Sequence, residues 1–223
     1  MTHIQFLSSP LWVRGNQVKN RIVVPPMADF GATDTDGLVN ARHLKHYAEL
    51  ADGGAGIIII EACTVCRVHE ERNTIGLFDD ICIPGMMQLA KVVKQNHAIA
   101  LVQLLNVGIN YLPYGSIEEI PTDVFHEYKQ EFVDAAFCVK REVSLPVICV
   151  GNIDSGTVAE SILQKGYADF VAVGRGHLCD PTWGNKILHG KEPFHCVRCR
   201  KCMWYIDGEK CPVVKKRRKV EEI

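Results

Sequence analysis

The chain has 223 residues, 47% of them hydrophobic, with a net charge of −1 and a mean hydropathy of +0.01. That length suffices for one large domain with a substantial core, and the charge balance leaves no electrostatic footprint for nucleic acid. No apolar run approaches the roughly 20 residues that span a bilayer and no secretory leader opens the chain, so no membrane partner is expected.

In chain order, an extended lead over residues 4–18 sets Leu7, Leu11 and Val13 along one end of the fold. Asn20-Arg21-Ile22-Val23-Val24-Pro25-Pro26-Met27 reads as the first strand and its exit, because two prolines cannot continue a ladder. After a Gly- and Asp-rich loop, Asn40 caps a helix through Asp52 with Leu44, Tyr47, Ala48 and Leu50 turned inward. Gly53, Gly54 and Gly56 break it, and Ile57–Ile60 is a fully apolar strand that ends at Glu61-Ala62. An irregular stretch, Cys63–Asp80, leads to a helix over Pro84–Asn96 and a strand over Ala98–Leu104 that carries Gln103 near its end. A loop over Asn110–Thr122 and a long helix over Asp123–Glu142 follow. The next unit is strand, helix, strand: Pro146–Val150 closing in Gly151, Gly156–Lys165 with Glu160 and Gln164 on its polar side, and Phe170–Val173 closing in Gly174-Arg175. Asp180-Pro181 reads as the cap and first turn of a further helix.

Short, continuously apolar strands alternating with helices predict an α/β fold around a parallel sheet. About five βα units are recognisable, whereas a closed barrel of this class has eight. The expected fold is therefore TIM-barrel-like but incomplete over residues 1–190, with a Cys-rich tail over residues 191–223. Unpaired edges of such a sheet invite pairing, so a homo-oligomer is expected.

Two chemical signals stand out. Glycines at strand exits let backbone N–H groups approach an anion, and Gly151, Gly174 and Arg175 together form a candidate phosphate site. In the tail, Cys196, Cys199, Cys202 and Cys211 follow the spacing C-x2-C-x2-C-x8-C, which suits a four-thiolate cage for a [4Fe–4S] cluster or, alternatively, zinc, with four unligated cysteines as the remaining reading. The other six of the ten cysteines are scattered in or beside apolar segments and read as buried thiols of a reducing, cytoplasmic setting. His43 and His46, three apart, share one helix face, so a metal is conceivable there, but they read first as a solvated or packed pair. The run Lys215-Lys216-Arg217-Arg218-Lys219 reads as a solvated basic end.

The motifs NRIVVPPM, YAELADGGAGIIIIEACTV, ALVQLLNVG, PVICVGNI and ADFVAVGRGHLCDP, in this order over residues 18–109 and 140–183, resemble the Old Yellow Enzyme family of NADH:flavin oxidoreductases. The similarity is greatest to its iron–sulfur branch, which includes 2,4-dienoyl-CoA reductase. The resemblance implies FMN at the C-terminal mouth of a barrel, with Pro26, Met27 and Ala62 against the flavin ring, Gln103 hydrogen-bonding its pyrimidine edge, and Gly151, Gly174 and Arg175 on the phosphate. It implies NAD(P)H as reductant, an activated alkene or similar small molecule as acceptor, and a [4Fe–4S] cluster on the four tail cysteines. The departures are equally specific. The fourth-strand histidine pair and tyrosine of the family have no counterpart, and Asn106 and Ile109 stand where the family carries histidine and arginine. About three middle strands are missing. A family member that binds flavin or a cluster without ene-reductase turnover, or works only in an assembly, is the alternative expectation, and an unrelated phosphate-binding barrel is a third.

Overall fold

In the computed structural model, residues 4–28, 36–64, 74–105, 130–199, 202–205 and 207–221 are described. Asn106, Ile109, the loop over residues 110–122 and the first part of the long helix lie outside them. The chain opens with a two-stranded antiparallel hairpin, β1 (Leu11–Val13) and β2 (Asn16–Val18). Its turn residues Arg14 and Gly15 both have positive φ, 47° and 78°, as a two-residue hairpin turn demands. The sequence reading of one extended lead is corrected here, although Leu11 and Val13 do pack at an end of the sheet, beside Val18 and Val23.

Five strands form one wholly parallel sheet: β3 (Ile22–Val24), β4 (Ile57–Thr64), β5 (Ile99–Leu105), β6 (Ile148–Val150) and β7 (Phe170–Ala172). Their spatial order is β5-β4-β3-β7-β6. The last strand thus returns to lie beside the first of the sheet, which is how a (β/α) barrel closes its seam. Among the described residues, β5 and β6 are the two edges of this sheet. This is an α/β barrel left incomplete.

Helices α1 (Ala41–Asp52), α2 (Ile83–Lys94), α3 (Gln130–Glu142) and α4 (Gly156–Gln164) connect the strands. Alternation divides the strand side chains between two faces. Ile22, Val24, Ile58, Ile60, Cys149 and Val171 join Tyr47, Leu50, Leu89 and Ile162 in the helix-side core. Val23, Ile57, Phe170 and Ala172 form a smaller inner core closed by the hairpin. After β7 come α5 (Gly174–Cys179), α6 (Trp183–Leu188) and, in the tail, α7 (Pro212–Glu221).

Several sequence expectations change in detail. Glu160 is not on a solvent face: it is buried, and its two carboxylate oxygens accept the N–H groups of Phe6 and Leu7, both at 2.7 Å, which ties the N-terminal lead to α4. Asp180 does not cap a helix; α6 begins at Trp183, and Asp180 is a fully buried acceptor beside it. The basic run lies on α7, and Arg217 in its middle is buried rather than solvated, 3.9 Å from Glu49 and 3.8 Å from Glu221. Among the described residues, no helix is long and apolar enough to cross a membrane.

Candidate functional site

Parallel strands deliver their C-terminal ends to one edge of the sheet. In spatial order that edge carries Gln103 on β5, Ala62 on β4, Pro26 and Met27 after β3, Gly174 and Arg175 after β7, and Gly151 after β6. Residues from five separate stretches of sequence are aligned along four inter-strand steps of about 4.8 Å, roughly 19 Å in all.

The facing of Ala62 and Gln103 depends on an irregularity in β4. The register with β5 shifts between Ile60 and Ala62, leaving Glu61 as an extra residue on β4. Without it Ala62 would share the helix-side face of Ile58 and Ile60. With it, Ala62 pairs with Gln103 on the inner face while Cys63 turns back to the helix-side core. The Glu61 N–H, taken out of the regular ladder, donates to the Tyr47 hydroxyl at 2.8 Å. Its carboxylate lies 3.8 Å from His43 Nε2. His43 is fixed in turn at the start of α1: its Nδ1 accepts the Asn40 N–H at 3.1 Å, while Asn40 Oδ1 accepts from the N–H groups of Arg42 and His43. His46 packs between Tyr47 and Trp204, where burial, aided by His43 and Arg42, holds its pKa down to about 4. Both histidines are thus packed against neighbours on and beside α1.

Gly174 and Met27 are neighbours across β7 and β3. A Cβ added at Gly174 would stand 3.2 Å from Met27 Sδ and 3.4 Å from Pro25 Cγ, so the bare glycine leaves a small cradle at the strand exit. Arg175 follows on the first turn of α5, close enough to Cys196 to favour its thiolate. Gly151 has φ of 151°, a conformation that favours glycine, and a Cβ there would meet Phe132 of α3 at 2.8 Å. These features fit a flavin mononucleotide: a backbone cradle and an arginine for its phosphate, and an amide, Gln103, able both to donate and to accept at a ring edge.

The tail folds back onto this end of the sheet. Leu178, Trp204 and Val214 form a small core against which Met27, Cys202 and Cys211 pack. A fifth cysteine, Cys179, is buried at the end of α5 and influences the charge of both Cys196 and Cys211. Their mutual influence pushes the Cys179 thiol up and pulls Cys196 and Cys211 down to about 6. Backbone N–H groups of Arg198, Val213 and Val214 and the guanidinium groups of Arg175 and Arg217 assist the two thiolates. Cys63 and Cys149, by contrast, are pushed by burial up to about 12 and 11, as inert thiols should be. Cys199 is half-buried. Among the described residues, no three His, Cys, Asp or Glu side chains are arranged to hold a metal ion. The donor chemistry nonetheless fits one, because soft thiolates in an electropositive surround are what zinc or an iron–sulfur cluster requires. Sequence reasoning missed Cys179, which no spacing rule connects to the tail.

Known proteins share this fold. Against the NADPH dehydrogenase of Geobacillus thermodenitrificans the identity is 38% over 105 residues, covering 46% of this chain and 30% of that protein. A second Geobacillus NADPH dehydrogenase gives 36% over 103 residues with the same coverage, so the aligned part is less than a third of either relative. Among solved structures, 2-naphthoyl-CoA reductase superposes with a TM-score of 0.70 at 14% identity, over 92% of this chain and 56% of that one. The old yellow enzyme homologue from Zymomonas mobilis gives 0.63 at 13%, over 90% and 98%. At such identities the superpositions speak for the fold alone. The sequence pattern of one flavoprotein family, however, matches residues 7–145 and 117–193, taking in every strand of the sheet, and the chain belongs to this NADH:flavin oxidoreductase / NADH oxidase family.

Proposed function

We propose that the chain binds FMN along the C-terminal edge of its sheet and acts as a flavin-dependent NAD(P)H oxidoreductase on a small-molecule acceptor such as an activated alkene. The observation that carries this reading is the order of residues along that edge, with a polar amide at one end, small and apolar groups in the middle, and a glycine–arginine cradle towards the other. Bound FMN would supply hydride chemistry, and the protein's task is to hold and orient it. Gln103 would fix the pyrimidine edge. Ala62, Pro26 and Met27 offer a flat apolar bed without competing side-chain donors. Gly174 and Arg175, with Gly151, would bind the phosphate. The division into a flavin-binding barrel portion, residues 1–190, and a metal-binding tail, residues 191–223, belongs to the same proposal.

In the tail, Cys196, Cys199, Cys202 and Cys211 would hold a [4Fe–4S] cluster, with zinc as the alternative occupant. Unbridged cysteines throughout the described residues suit a reducing, cytoplasmic setting. A second reading is favoured by one observation: inner-face residues of the two edge strands stand open, Leu101 at 43% and Val150 at 56% exposure. A chain in that state would bind flavin yet turn over only after assembly with another copy. Absorbance of anaerobically purified protein, with iron, zinc and labile sulfide measured on the same sample, tests both parts. Flavin bands with a broad cluster shoulder and iron matching sulfide are expected; a colourless protein that takes up no added FMN would overturn the flavin reading, and one zinc without iron would replace the cluster.

A further inference from the structure

Glu61, the extra residue of β4, has its backbone groups taken up by side chains on the helix side of the sheet. Its N–H donates to the Tyr47 hydroxyl at 2.8 Å, and its carbonyl accepts from the Cys63 thiol at 3.2 Å. The carboxylate is buried as well, 3.8 Å from Nε2 of His43. Because His43 Nδ1 accepts the Asn40 N–H, the neutral ring carries its proton on Nε2, the nitrogen that faces Glu61. His43 and Tyr47 stand four apart on α1 and therefore on one face of that helix, and both are buried. One helix thus grips the irregular residue at two points. Beyond it the strand is held again, since the Thr64 N–H donates to the Ile75 carbonyl at 2.8 Å and the Leu77 N–H to the Thr64 carbonyl at 2.7 Å. Ala62 lies between these two anchorages.

We propose that Glu61, Tyr47 and His43 are positioning residues for the flavin ring: they fix the extra residue of β4 and thereby hold Ala62 beside Gln103 on the inner face. They act from the helix side, through the backbone of β4. Side chains alternate along a strand, so a bulge that loses its anchorage lets the register with β5 relax, and a slip of one residue exchanges inward for outward side chains. The inference rests on the flavin reading of the strand-exit edge and says which part of the ligand is concerned. Ala62 and Gln103 belong to the ring end of that edge, whereas Gly174 and Arg175 belong to its phosphate end. Disturbing the bulge must therefore weaken FMN and riboflavin alike, which a disturbed phosphate site does not do. A tyrosine and a histidine that merely filled the core would change stability and leave the flavin held by the folded chain as it was.

The test is fluorescence titration of the full chain with FMN and with riboflavin, for wild type, Tyr47→Phe and Glu61→Gln, with urea midpoints measured on the same samples. Tyr47→Phe removes the hydroxyl that accepts the Glu61 N–H and keeps the ring. It is expected to weaken both ligands by about tenfold, the scale of one lost buried hydrogen bond, while the ratio of FMN to riboflavin affinity stays that of wild type. Glu61→Gln is expected to act in the same direction. In both variants the absorbance bands of the bound flavin should move towards those of free flavin. Wild-type affinity and spectrum in folded Tyr47→Phe would overturn the inference, whatever the urea midpoint does. If that variant does not fold, hydrogen exchange of the wild type decides: bound FMN should slow exchange of the Glu61 amide, and a rate that FMN leaves unchanged would overturn the inference. A wild-type chain that binds neither ligand refutes the flavin reading itself and the inference with it.

Discussion

Individual buried polar residues hold this fragmentary barrel together, and Asp180 is the most connected of them. Its carboxylate accepts from the Thr182 N–H and hydroxyl, the Phe194 N–H and the Lys186 ammonium, the last at 2.6 Å. Burial alone would raise its pKa, but these donors outweigh burial and hold it below the usual carboxylate range. Asp180→Asn keeps the shape, loses the charge and strands Lys186; a cost of about 2–4 kcal/mol is expected, read as a lower urea midpoint. His46 and His177 carry a pH dependence. Burial, partly opposed at His177 by its bond to the Val173 carbonyl, holds both down to about 4. An unfolded imidazole titrates near pH 6.5, so between 6.5 and about 4 the unfolded chain binds more protons than the native one. Stability is unaffected by this pair above that window and falls as pH is lowered through it, by up to about 1.4 kcal/mol per pH unit for each histidine. Urea midpoints at pH 7.5 and pH 5 should differ, and His177→Leu should flatten the difference. An identical slope in that variant contradicts the assignment. None of these roles was legible in the sequence. Glu160 and Asp180 read there as a polar helix face and a cap, because a pattern of residue types records polarity but not the distant backbone groups that neutralise it.

At the scale of elements the sequence was far more informative, since a run such as Ile57–Ile60 has few alternatives to a strand covered on both faces. What it could not reveal were two features that depend on neighbours. One is the extra residue at Glu61, invisible until β4 is laid against β5, which decides that Ala62 and Gln103 share the inner face. The other is the docking of α6 on the turn before β4. A Cβ at Gly53 would lie 1.6 Å from the Pro181 carbonyl oxygen, while the Asn185 N–H donates to the Gly53 carbonyl at 2.8 Å. Gly53 has an ordinary helical φ of −67°, so its glycine is required by space and not by conformation. Gly53→Ala is expected to cost roughly 1–3 kcal/mol by forcing α6 away, again visible in the urea midpoint. An unchanged midpoint would show that α6 is docked more loosely than this contact implies.

At the scale of the whole molecule, the seam between β3 and β7 is kept, and among the described residues β5 and β6 are the unpaired edges of the sheet. Leu104 on β5 is 62% exposed and Ile148 on β6 is 37% exposed, so both free edges are apolar. Such edges favour self-association, and Leu104→Lys and Val150→Lys should each shift sedimentation profiles towards smaller species. A wild-type chain that stays monomeric at all concentrations would remove that expectation. The strand-exit edge is the part of the barrel that these strands retain, and the central claim is that it still binds the phosphate of FMN. The direct measurement compares FMN with riboflavin, which lacks the phosphate, by fluorescence titration of wild type and Arg175→Ala. Loss of one charge-assisted contact is worth roughly 1.5–3 kcal/mol, or about one to two decades in affinity. The wild type should prefer FMN to riboflavin by at least that margin, and Arg175→Ala should lose the preference while binding riboflavin as before. Equal weakening of both ligands, or of neither, would contradict the account.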